Sequence, residues 1–178
     1  MKPYQISLIS LAIDIALLTL FVSWFVGRSD IVEPVPRISP QYSGVKVFFP
    51  NKVQDSDNLS CEKTYPASRE ISMSTNNSEN RLGEIAYIAI KELLKGPTEA
   101  DKAQGFFTSI NLGAKVQKIS IVEGVANVEF DEEFNRGVAG SCRVQTIRSQ
   151  IEETLKQFPE IKEVIISVDG DSKTILQP

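Results

Sequence analysis

An α+β domain, with a mixed sheet of about four to five strands and two helices packed on it, preceded by one transmembrane helix, is the fold class that three patterns predict. Near the N-terminus an apolar run is long enough to cross a bilayer. Two later segments repeat apolar residues at helical spacing. Around them lie short alternating or wholly apolar runs bounded by Pro, Asn and Gly, in the order strand, weaker strand, helix, hairpin, helix, strand. At 178 residues, 42% hydrophobic and 24% charged, the chain has room for one ordinary domain and an appendage.

Residues 6–26 are mainly Ile, Leu, Ala, Val, Phe and Trp, about 21 residues or roughly 30 Å of helix. Lys2 precedes the run and Arg28 is followed by Asp30 and Glu33. The positive-inside rule then puts the N-terminus in the cytoplasm and the rest outside, a single-pass topology in the cell membrane. A cleaved signal peptide is the rival reading, for which Ser23-Trp24-Phe25-Val26 is a poor small-x-small site. The expected division is an anchor or signal-anchor at 1–27, a linker at 28–43, a domain at 44–172 and a tail at 173–178. Within the anchor, Asp14 costs about 3 kcal/mol on insertion scales. It shares one helical face with Ser7 and Ser10, at i, i+3 and i+7. That is either a polar seam for helix pairing or a single tolerated acid. Pro34, Pro36 and Pro40 favour extended chain in the linker, at about 3.1 Å per residue.

The domain begins with GVKVFF at 44–49, an alternating strand stopped by Pro50-Asn51. Residues 59–71 supply a second strand that Pro66 confines to an edge or splits. The first helix, 78–94, carries Leu82, Ile85, Ala86, Ala89 and Leu93 on one stripe and ends at Gly96-Pro97. Ile88 falls among its charged outer residues and is a candidate partner contact. Residues 115–122 and 125–130 form a hairpin about Glu123-Gly124. The second helix, 141–158, repeats Val144, Ile147, Ile151, Leu155 and Phe158 until Pro159 stops it. Residues 161–168 contain the unbroken apolar run Val164-Ile165-Ile166, as in a strand covered on both faces or placed centrally. Asp169-Gly170 closes it with a turn.

Chemistry is restricted by composition. There is no histidine and the net charge is -4, so imidazole bases and ligands are excluded and nucleic acid is not an expected partner. Asp131-Glu132-Glu133 points its carboxylates in different directions and reads as solvated turn. Asp169-Gly170-Asp171-Ser172 lacks the later ligands of a calcium loop. Gly96-Pro97-Thr98 and Gly140-Ser141-Cys142 fit neither a phosphate loop nor a nucleophile elbow. No catalytic, cofactor or metal site is assigned. The two cysteines, Cys61 and Cys142, are expected to pair in an exterior compartment. A helix begun at residue 141, however, puts Cys142 about 160° from its apolar stripe. Either the helix begins later, or the Cys61 segment crosses its outer start; two separate thiols are the alternative.

Four segments occur in a telling order: Val47-Phe48-Phe49-Pro50-Asn51, Glu92-Leu93-Leu94-Lys95-Gly96-Pro97-Thr98, Gly124-Val125-Ala126-Asn127-Val128-Glu129-Phe130, and IEETLKQFPEIKEVIISVDG from Ile151 to Gly170. With them the chain resembles a GerMN domain, of sporulation and spore germination, over about residues 44–171. It departs at Asn111, where that family commonly has proline. The resemblance implies an extracytoplasmic, non-enzymatic α/β module of bacterial envelope proteins, with no catalytic residues to carry over. The expected function is a membrane-tethered binding or assembly module whose partners are envelope proteins or a second copy. The alternative is an accessory to peptidoglycan remodelling, either binding the cell wall or associated with an amidase.

Overall fold

Alternation in the first strand of the domain leads directly to its first pairing. In the computed structural model, which describes residues 44–56, 60–71 and 80–177, β1 (Gly44–Phe49) pairs antiparallel with β2 (Tyr65–Glu70) and buries Val45, Val47 and Phe49. Pro66 stands opposite Phe48. The Phe48 N–H points away from β2, to Thr154. Phe48 and Pro66 are therefore a non-hydrogen-bonded pair, and the proline removes no ladder bond. The N-terminal apolar run, the Ser7, Ser10 and Asp14 seam and the linker lie outside the described residues. Within those residues, no helix is long and apolar enough to cross a membrane.

Helix α1 (Arg81–Leu94) buries Ile85, Ala86, Ala89, Ile90 and Leu93. It stops because Gly96 takes φ 75° and donates its N–H to Leu93 O at 3.0 Å, after which Pro97 cannot extend the ladder. Thr98 then caps α2 (Glu99–Ala103) through a reciprocal capping box with Asp101. The Gly-Pro-Thr of the sequence thus ends one helix and starts the next.

Strands β3 (Val116–Val122) and β4 (Val125–Phe130) meet at Glu123-Gly124, whose positive φ values of 51° and 84° are those of a two-residue primed turn. A bulge falls between Val116 and Lys118. Val116 and Ile119 are three residues apart and would face opposite sides of a regular strand. The extra residue, Gln117, puts both on the core side, opposite Phe130 and Val128. After α3 (Glu132–Asn135) and α4 (Ser141–Lys156), β5 (Glu163–Val168) joins β4 in parallel, giving the order β3-β4-β5. Both long helices pack on this sheet and on β1, over Ala126, Val128 and Phe130. Phe130 also stacks on Phe134, centroids 4.1 Å apart.

Three expectations need correction. The strands form two sheets rather than one mixed sheet, because the outer edge of β1 is occupied by α4. Lys46 N–H donates to Gln157 Oε1 at 2.9 Å, Gln157 Nε2 donates to Lys46 O at 2.7 Å, and Phe48 N–H donates to Thr154 Oγ1 at 3.1 Å. Side chains fill the place of a neighbouring strand. The apolar run in β5 stands at a sheet edge, with Ile166 buried and Val164 and Ile165 half-buried. Two short helices, α2 and α3, are additional to the two expected. Beyond residue 172, Ile175 and Leu176 are buried, and Leu176 N–H donates to Asn135 Oδ1 at 3.1 Å.

Candidate functional site

Helix α4 explains how the surface is assembled. Beside its apolar stripe runs a second row, Thr146, Gln150, Thr154 and Gln157, uncharged and spaced by about one helical turn. Together they bind three segments: Thr146 Oγ1 donates to Cys61 O at 2.7 Å, Gln150 Oε1 accepts from Thr108 at 2.9 Å, and Thr154 and Gln157 hold β1. Cys61 and Cys142 form a disulfide, with Cα atoms 4.9 Å apart. The Cys61 segment crosses the outer start of α4, and farther along the helix Ser149 Oγ donates to Glu62 O at 2.5 Å. That is how a cysteine far from the apolar stripe finds its partner.

Asn51 and Asn111 fix the loops around this frame. Asn51 is 1% exposed; its Oδ1 accepts from Val53 and Gln54 N–H and its Nδ2 donates to Gln104 O. Asn111 Nδ2 donates to Glu133 O at 2.7 Å and Arg136 O at 2.8 Å, while its Oδ1 accepts from Arg143 at 2.7 Å. A proline here would supply none of these bonds. The loop so held presents Leu112, 80% exposed.

Beside Leu112 lies a groove of about 430 Å³ between α1 and the start of β3. Tyr87, Leu94, Ala114 and Val116 give it an apolar lining, and Lys91, Lys95 and Lys115 rim it. Lys95 pairs with Glu92 and Lys91 lies over the Tyr87 ring; among the described residues no acid forms an ion pair with Lys91 or Lys115. Leu112 itself lines a neighbouring acidic concavity with Asp131, Glu132, Glu133 and Asp169, where Arg136 is paired to Glu133. Gly113 and Lys115 belong to both concavities.

Ile88 is half-buried on α1 and is not among the groove residues. Asp131 Oδ1 accepts from Lys115 N–H, which fits a turn role. At Asp169-Gly170 both φ values are positive, 50° and 79°, and Val168 and Asp171 exchange backbone bonds across a tight turn. Asp171 is held below its usual carboxylate range by hydrogen bonds from Thr174 and Lys173. Asp101 is also lowered: burial opposes its charge, but hydrogen bonds from Thr98 and the Arg69 guanidinium outweigh it. Among the described residues, no group of three or more His, Cys, Asp or Glu could hold a metal ion.

Sequence reading missed two features: the polar row on α4 and the Asn111 loop. The row had a signal in four neutral residues, Thr146, Gln150, Thr154 and Gln157, at helical spacing beside the apolar stripe. Leu112 had none, since its exposure depends on distant partners of Asn111.

Residues 46–174 match the family described as Germane, sporulation and spore germination. Among solved structures, the tandem GerMN domains of the sporulation protein GerM from Bacillus subtilis are similar at a TM-score of 0.47 and 18% identity, over 76% of this chain. This chain spans 42% of that tandem. The first GerMN domain of the same protein gives 0.45 and 17% identity, covering 74% of this chain and 86% of that one. The comparison with curated proteins gives no match.

Proposed function

This chain belongs to the Germane family of sporulation and spore germination, and from that we propose that it is a binding and assembly module of the bacterial cell envelope, tethered to the membrane by residues 6–26, with its domain outside the cell. It does no chemistry of its own; it holds partners. The observation that carries this reading is the apolar groove between α1 and the start of β3, ringed by lysines on a chain of net charge -4. A buried Leu-sized side chain contributes about 1.5–3 kcal/mol, and each exposed ion pair on the rim about 0–1 kcal/mol. Such a contact is weak alone and becomes useful when a membrane tether raises the local concentration. An exterior location also suits the Cys61–Cys142 disulfide.

The test is photo-crosslinking in intact cells with the full chain, a reactive analogue replacing Leu94 in the groove. Protein adducts, identified by mass spectrometry, are the expected result. Adducts confined to peptidoglycan would favour the wall-remodelling alternative, and absence of any adduct would defeat the groove as a contact. Protease added to spheroplasts is expected to remove the domain and leave the anchor.

A further inference from the structure

We infer that the groove's partner is a second copy of this chain, which meets the first about a two-fold axis through the loop that carries Leu112, Gly113 and Lys115; this rests on the assembly reading above. The argument is one of adjacency and charge. The lysine-rimmed groove and the acidic concavity share Gly113 and Lys115, so they lie side by side, and Leu112, next to Gly113 in the chain, lines the acidic one. Lys91 stands on one side, Glu132 and Asp169 on the other, and Lys115 lines both. None of these four has an ion-pair partner among the described residues.

A two-fold axis lying in an interface brings each point of one patch against the point on the opposite side of its twin. For this patch the operation sets Lys91 against the acids twice, once at each end, and brings the two 112–115 loops together near the axis. Another acidic protein would satisfy the groove alone. A second copy satisfies the groove, the acidic concavity and the exposed leucine together. The surface is also preorganised, because the three hydrogen bonds of Asn111 hold the Leu112 loop. Fixing that loop beforehand lowers the entropic cost of association.

The test uses the full chain reconstituted in vesicles, with a short thiol-reactive crosslinker and Leu112→Cys. Val53→Cys is the control, since Val53 is 71% exposed and therefore reports random collision. At least about tenfold more crosslinked dimer is expected from residue 112 than from residue 53. Lys91→Glu or Glu132→Lys, each added to Leu112→Cys, is expected to lower the yield about tenfold by setting like charges together. The two reversals combined restore it. Equal crosslinking at 53 and 112, or no recovery in the combined variant, overturns the second copy as partner. If Leu112→Cys instead links to a different envelope protein in cells, self-association fails and the module reading stands. If residue 112 links to no protein and the Leu94 probe yields no protein adduct, both fail.

Discussion

Asn51 and Asn111 perform the same local task at two loops with different surroundings. Each donates its side-chain amide N–H to backbone carbonyls, and each stands close to an exposed apolar residue, Val53 at 71% and Leu112 at 80%. Asn51 is itself buried, tied to the loop after α2 and next to the disulfide. Asn111 is half-buried and anchors a projecting loop between surfaces of opposite charge. The contrast teaches that exposure alone marks nothing, since single apolar side chains on a surface are ordinary. A contact surface is marked by what adjoins the exposed residue.

The comparison can be broken at either loop. The largest effect belongs to the disulfide beside Asn51. Replacing Cys61 and Cys142 by Ser, across a separation of 81 residues, is expected to cost about 4 kcal/mol by the chain-entropy argument. Denaturant unfolding checks it, and crosslinking at residue 112 is expected to survive under conditions where the variant stays folded. Next, Asn51→Ala leaves two N–H groups and a carbonyl without their partner, at about 2–3 kcal/mol. Asn111→Ala acts at a wetter site and is expected to cost about 1–2 kcal/mol, but it also loosens Leu112 and lowers dimer yield, which Asn51→Ala does not. A smaller effect tests the remainder of the fold. Because Asp101 is lowered in the folded state, its contribution is complete above its ordinary value and disappears as pH falls through the lowered one. Arg69→Met is expected to remove about 1 kcal/mol above that range and to flatten this acid dependence, seen by comparing unfolding curves at neutral and acid pH.

Local chemistry was readable from the sequence wherever it was self-contained. Glu123-Gly124 and Asp169-Gly170 announce their turns because a short link between strands needs positive φ, and Gly96-Pro97 announces a helix end. The apolar stripes of α1 and α4 were equally plain, since periodicity is a property of the segment itself. What was not readable depended on tertiary partners. Thr154 and Gln157 divide the sheet by binding Lys46 and Phe48, more than a hundred residues earlier. Ile90, between Ala89 and Lys91, is fully buried although the expected stripe omitted it. Asn111 registered as a departure from proline, while its role comes from Glu133, Arg136 and Arg143 in space.

The most direct measurement is amide hydrogen exchange on the full chain in vesicles at low and high protein density. If Leu112 is a contact and Val53 is not, exchange across residues 111–115 slows as density rises while exchange across residues 52–54 stays the same. Equal behaviour of the two loops, whether both slow or neither does, would contradict the account.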